Sequence, residues 1–377
     1  MHRFRPFLME RWQSTYEYVV DFNLSESGVH PLTVGELLAL AGADVDQVVL
    51  GYGQSNGSAG LRELIAGHYR GASEANVVVT NGSAEANFVA MWNLVEPGNA
   101  VAVVVPAYMQ TPGLAHALGA EVREIPLHLE LGWQPDPDEI AARVTERTRV
   151  IVVTNPNNPT GSILNADARK ALVSAADRVG AWILADEVYT GAELNGQATP
   201  SFFGEYPRVV ATSSVSKAYG LPGLRVGWVV APASVAEELW ARTDYTTISP
   251  GELTDRLATL ALRPDVRARI LERTRSLLHG GFDILENWMG ENGFSWRAPD
   301  AGAICFTRYD LPVNSTVLAE RLRTDRSVLV VPGDHFGVDG FIRIGYGLHE
   351  NVLRTALDRV AATLEEIGSE EVVISRE

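Results

Sequence analysis

The chain of 377 residues has a single cysteine, Cys305, which rules out an internal disulfide framework, and no grouping of Cys and His shows zinc-ligand spacing. No metal site is expected. No apolar stretch approaches the roughly 20 residues that a bilayer span needs. The stretch from Met1 to Glu10 carries Arg3 and Arg5 without the apolar core of a secretory leader. The expectation is a soluble, cytoplasmic protein. Basic charge is also scarce: 31 Lys and Arg stand against 47 Asp and Glu, for a net charge of -16. Nucleic acid and anionic membrane need clustered Lys and Arg, so neither is expected as a partner. A small-molecule ligand is. Repeats, low-complexity tracts and coiled-coil heptads are missing too.

Lysine is the scarcest of the charged residues, with only Lys170 and Lys217 present. Lys170 falls in Ala166 to Val179, where Leu172, Val173, Ala176 and Val179 form an apolar stripe and the lysine sits among charged neighbours, as on a solvated helix face. Lys217 falls in Thr212 to Arg225, a run of hydroxyls and glycines with neither helical nor strand periodicity. A chain that uses arginine for surface charge and places a lysine there has a use for a primary amine.

Short β-rich apolar runs alternate with amphipathic stretches through the middle of the chain: residues 76–80, 100–105, 149–154, 181–185 and 208–211. This is the pattern of an α/β fold, a mostly parallel sheet flanked by helices. From Asp265 the chain reads as a long helix, then strand-like runs at 303–306, 328–331 and 341–344, then a closing helix over 352–367. The expected division is a large ligand-binding domain over 46–284 and a smaller α+β domain made of 1–45 and 285–377.

In open α/β sheets ligands bind at the carboxyl ends of the strands, and the chemically unusual residues collect there. Thr80-Asn-Gly-Ser-Ala84 opens a helix whose free amides suit a phosphate, with Gly82 allowing close approach; the expected apolar face of that helix is Phe88, Met91, Trp92 and Val95. Asn155-Pro-Asn-Asn-Pro-Thr-Gly161 holds its asparagines between prolines that restrict the backbone. Asp186-Glu-Val-Tyr189 puts a carboxylate directly after a buried run, where it needs a cationic or hydrogen-bonding partner. Ser214-Val-Ser-Lys217, with Arg225 downstream, combines an amine with phosphate ligands. Tyr108, after Pro106, offers a ring to stack on a planar group.

In this order and spacing the motifs resemble the class I/II aminotransferases, pyridoxal 5'-phosphate (PLP) enzymes of fold type I, over nearly the whole chain. The resemblance implies that PLP is the cofactor and Lys217 its Schiff-base lysine and proton shuttle. Asp186 would face the pyridine nitrogen, Asn158 and Tyr189 the ring hydroxyl, and Tyr108 the ring face. Gly82, Ser83, Ala84, Ser214, Ser216 and Arg225 would hold the phosphate. Tyr52 matches a tyrosine that reaches the partner subunit's phosphate, which implies a homodimer with shared active sites. Arg343 matches the clamp for the substrate α-carboxylate.

Ser25-Glu-Ser-Gly-Val-His-Pro-Leu-Thr33, with Glu10-Arg-Trp12, Tyr219-Gly-Leu-Pro-Gly223, Asp244-Tyr-Thr-Thr-Ile-Ser249 and Val331-Pro-Gly333, resembles the capreomycidine synthase branch, where the fold serves elimination and cyclisation of a hydroxylated arginine. Two positions depart from that pattern: Glu26 stands where a small residue is expected, and Asn23 where an acid is. Gly28, His30, Glu10, Glu26, Asn158 and Arg343 are the expected substrate contacts, with His30 as an acid or base and Glu10, Glu26 and Asp244 available to a cationic substrate end. The chief expectation is an aminotransferase, the alternative an elimination or cyclisation enzyme acting on a hydroxylated arginine. A PLP-fold binding protein without turnover would have lost Lys217, Asp186 or Arg343, and all three are present.

Overall fold

The computed structural model describes residues 6–374; Arg3 and Arg5 lie outside them. Valine- and alanine-rich runs form the centre of an eight-stranded sheet because neither face presents a polar side chain to bury. Its strand order is Val77–Thr80, Gly227–Val230, Val209–Ser214, Trp182–Asp186, Thr148–Thr154, Ala100–Val105, Glu121–His128 and Gln134–Pro135. The strands from Val209–Ser214 through Glu121–His128 are mutually parallel, and Gly227–Val230 runs antiparallel to both of its neighbours. The fold is that of type I PLP enzymes. Three strands are not legible as apolar runs: Glu121–His128 is half exposed and carries Glu121, Arg123 and Glu124, Gln134–Pro135 is two residues long, and Gly227–Val230 begins inside the glycine-rich motif.

Of the expected apolar face of helix Gly82–Leu94, Met91 and Val95 are buried, and Phe88 and Trp92 are not. The helix buries Ala86, Asn87, Val89, Ala90, Met91 and Leu94, whereas Phe88 is 39% exposed and the Trp92 ring lies under Arg242 and beside Tyr245. Ala86 and Ala90 sit on the inward face beside Val89, Met91 and Leu94; the helix lies close against Val209–Ser214 and Gly227–Val230, and the small alanines permit that approach.

The second layer is a four-stranded antiparallel sheet in the order Ser295–Trp296, Ile304–Arg308, Phe341–Gly345, Val331–Pro332. Phe22–Asn23 adds a short parallel pair with Val328–Leu329. The expected boundary at residue 284 falls inside the 28-residue helix Pro264–Glu291. Leu271, Leu278 and Leu285 of that helix share one core with Val79 and Trp228 of the large sheet and Ile342 and Ile344 of the small one. The N-terminal helix Leu8–Tyr16 docks on the small sheet through Trp12, whose indole donates to the Val330 carbonyl at 2.9 Å. Among the described residues no helix is long and apolar enough to cross a membrane.

Candidate active site

A cavity of about 950 Å³ opens where the strand ends of the large sheet meet the N-terminal segment. Its floor carries Asp186, the last residue of its strand. The carboxylate accepts from Asn87 Nδ2 at 2.8 Å and from the Val188 amide at 3.2 Å, and burial pushes its pKa above the ordinary carboxylate value. Asn87 is in turn held by the Thr212 hydroxyl at 2.7 Å. Sequence reasoning missed Asn87; its signal was an amide on the inward face of a helix otherwise lined with alanine.

One end of the cavity is lined by Ser83, Ala84, Ser216 and Arg225. Gly82 has φ +78°, and a Cβ there would collide with the Arg225 guanidinium, while a Cβ on Gly227 would collide with Gly82 itself. Close approach is what both glycines supply. Ser214 does not line the cavity: it is fully buried, and its hydroxyl accepts from the Ser216 amide at 3.2 Å. That hydrogen bond orients the loop that carries Ser216 and Lys217.

Lys217 reaches the middle of the same cavity, with Gly28 packed against its stem. Its Nζ donates to Glu26 Oε1 at 2.7 Å. The same oxygen accepts from the amides of Ser27 at 2.8 Å and Gly28 at 3.0 Å. The Lys217 charge, outweighing burial and helped by these hydrogen bonds, lowers the Glu26 pKa to about 2. Lys217 itself is raised, since Glu26 and Tyr189 overcome a desolvation penalty that acts the other way. Glu26, expected at the substrate, is thus first a partner of the lysine. Lys170 is exposed, as its helix pattern implied.

Arg343 is 1% exposed and donates to Asn158 Oδ1 at 2.7 Å and to the Ser25 carbonyl; its Nε has no partner. Tyr189 donates to Ser27 Oγ at 2.9 Å. Tyr108 lines the cavity and donates to Glu10 Oε1 at 2.7 Å. Glu17, unremarked in the sequence, joins Glu10 and Glu26 on the wall. Three of the expected residues stand outside the cavity of this chain. His30 does not line the cavity; its ring packs at a tilt against His349 with centroids 4.1 Å apart, and burial, then His349 and Arg273, lower its pKa below the ordinary value expected of it. Asp244 is exposed and also does not line the cavity. Tyr52 is 90% exposed and borders a separate groove with Glu252 and Arg256.

The profile of the aminotransferase class I and II family matches residues 30–360. The chain belongs to that family. It is 36% identical to capreomycidine synthase of Streptomyces vinaceus, over 96% of this chain and 93% of that protein. It is 29% identical to an arginine–pyruvate transaminase of Pseudomonas aeruginosa, over 86% of each. A solved PLP-dependent aminotransferase of Streptococcus suis superimposes with a TM-score of 0.91 at 31% identity, covering 97% of this chain and 99% of that one.

PLP is the cofactor of this family member, and the cavity fits it. The helix start at Gly82–Ser83, which Gly82 and Gly227 let lie close to the Arg225 guanidinium and to the neighbouring strand, suits a phosphate. The buried Asp186 carboxylate, tethered only by neutral donors, suits a protonated ring nitrogen. Lys217 supplies the amine between them.

The neighbouring Glu187 gives this family member a pH-dependent stability. Its fully buried carboxylate accepts from Ser201 Oγ at 2.9 Å and the Phe202 amide at 2.8 Å, yet burial pushes its pKa to about 7. The folded pKa lies above the ~4.3 of an unfolded glutamate. Folding therefore disfavours ionisation: the cost is absent below pH ~4, grows as pH rises towards 7 and is complete above it. Glu187→Gln is expected to raise Tm by about 2–4 °C at pH 8 and to leave it nearly unchanged at pH 4. Equal shifts at both pH values in a thermal melt would refute this.

Proposed function

We propose that this PLP-dependent enzyme acts on an amino acid whose side chain ends in a guanidinium. The observation that carries the reading is the acidic wall opposite the cofactor floor, where Glu10, Glu17 and Glu26 face the cavity that holds Lys217. Burial, then repulsion from Glu26 and Glu10, raises the Glu17 pKa, while Lys217 opposes the rise. A guanidinium entering the cavity relieves that repulsion and offers a planar fork of donors to carboxylates.

When bound, PLP supplies an electron-withdrawing ring that acidifies the substrate α-carbon. Ser83, Ala84, Ser216 and Arg225 hold its phosphate, Asp186 its ring nitrogen, and Tyr189 and Asn158 its hydroxyl side. Arg343 binds the substrate α-carboxylate, its unpartnered Nε giving it a donor to spare. Lys217 takes and returns the α-proton. Glu10, held in place by the Tyr108 hydroxyl, and Glu17 bind the side-chain cation.

Glu17→Gln and Glu10→Gln are each expected to raise KM for arginine-like amino acids about tenfold, the factor given by ~1.4 kcal/mol. KM for neutral amino acids should not move. Equal KM changes for both substrate classes in steady-state assays would sink the reading. A second reading, exchange of the α-amino group of the same substrate, is favoured by the likeness to the arginine–pyruvate transaminase. It releases a keto acid and requires an amino acceptor, so product mass separates it from elimination with ring closure.

A homodimer is part of the proposal. Val49, Leu50, Tyr52 and Tyr245 are 79–90% exposed, and burying such apolar groups against a second copy supplies the driving force for association. Sedimentation is expected to show a dimer. Tyr52→Ala and Lys217→Ala chains, inactive or weak separately, should regain activity when mixed.

A further inference from the structure

The geometry points to Glu26 as a catalytic acid, the group that hands a proton to a substituent leaving the substrate β-carbon while Lys217 takes the α-proton. This rests on the guanidinium reading above and deepens it, assigning the reaction to the elimination branch. Glu26 is 191 residues from Lys217 in sequence, yet its carboxylate oxygen sits 2.7 Å from Nζ and is fixed by two backbone amides. Its side chain keeps 41% of its surface open and lines the cavity, so it faces both the lysine and any bound side chain. Exchange of an α-amino group needs one base at the α-carbon. A second acid–base group beside that base is needed when a β-substituent must depart.

For a β-hydroxylated substrate the step balances as follows. The Cα–H bond breaks and its proton goes to Lys217 Nζ; the electron pair forms Cα=Cβ. The Cβ–O bond breaks with its pair on oxygen, and the Glu26 proton completes a water molecule. Lys217 ends as an ammonium and Glu26 as a carboxylate, the ion pair present in the structure. The proton on Glu26 comes from the substrate ammonium, which must shed one before its nitrogen can bond to the cofactor.

Lys217 also sets the acidity of its partner. Its positive charge is the strongest influence keeping Glu26 ionised, and burial is the strongest one opposing it. With the amine neutral, that influence is gone and the carboxyl holds a proton more strongly. The other ionisable groups around the pair are Tyr189, Arg343, Glu10, Glu17 and Asp186.

The test compares native and E26Q holoenzymes. A pH titration of the cofactor absorbance should show its midpoint falling by about one unit or more in E26Q, because a carboxylate that stabilised the proton on the lysine nitrogen is gone. With β-hydroxyarginine, formation of the dehydrated or cyclised product should fall about 100-fold or more. Solvent deuterium should still enter the α-carbon within about tenfold of the native rate, since Lys217 is intact. Native dehydration rates in E26Q, or equal losses of dehydration and deuterium entry, would overturn the acid role. If the native enzyme puts deuterium into arginine-like amino acids without dehydrating the hydroxylated one, the acid role falls and the substrate reading stands. If deuterium enters neutral amino acids only, the substrate reading falls. In either case an unmoved absorbance midpoint overturns the sharing of a proton between Glu26 and Lys217.

Discussion

Replacement of Lys217 by alanine is expected to lower kcat by about 10⁴-fold or more, the upper range for losing a positioned acid–base group that also anchors the cofactor. No other amine can stand in, because the only other lysine, Lys170, is exposed on the helix Ala166–Val179. The substitution also strips Glu26 of the cation that lowers its pKa to about 2, leaving a carboxylate fixed by two amides with nothing to neutralise it. Its pKa should rise accordingly. Two measurements check the assignment. Turnover should be lost at saturating substrate and saturating PLP, and borohydride reduction should fix the cofactor to Lys217 in the native chain alone, as read by peptide mass. Residual turnover within tenfold of native would remove Lys217 from the chemistry.

The second large effect belongs to Arg343. The side chain is almost fully buried, yet its hydrogen bonds go to neutral acceptors, Asn158 Oδ1 and the Ser25 carbonyl, and Nε has none. Burial consequently lowers its pKa, although Tyr189, Glu26 and Glu10 act against this. Such a buried cation is costly in the free enzyme, and on the proposed reading a substrate carboxylate compensates it. Arg343→Met should therefore lower kcat/KM about 100- to 1,000-fold, corresponding to ~3–4 kcal/mol, chiefly through KM. Unfolding temperature without substrate should not fall. Amines that lack a carboxylate should react as before. A variant that loses several degrees of stability and retains its KM would reverse the argument, making Arg343 a structural residue.

How far these roles were legible in the sequence followed from where their signals lay. Lys217, Asp186 and Asn158 stood out because strand ends carrying an amine, a carboxylate and a constrained amide are chemically odd against apolar runs. The alternation of those runs also made the sheet legible. Asn87 and Glu17 left no such mark: each lies on or beside a helix, where a polar residue points inward or outward according to a register that only packing decides. The same uncertainty misplaced half of the inward face of Gly82–Leu94: Met91 and Val95 are buried as expected, but Ala86 and Ala90 take the places given to bulky Phe88 and Trp92. Glu26 was noticed as a departure from pattern, but its contact with Lys217 is a tertiary fact with no local trace. His30 stood in a suggestive segment, and its contact with the His349 ring depends on a loop far along the chain.

The floor and the wall of the cavity come from separate stretches of chain. Asp186, Ser216, Lys217 and Arg225 belong to the large sheet and its loops, while Glu10, Glu17 and Glu26 lie within a single run that also supplies Gln13, whose amide ties Leu8–Tyr16 to Ser25. On the proposed reading, choice of substrate is encoded as a cassette within residues 10–26, apart from the machinery that holds the cofactor. Such a layout lets new selectivity arise by recombination at a single crossover between residues 38 and 58, and chimaeras joined there to a relative with a neutral wall should exchange preference while keeping the same cofactor affinity.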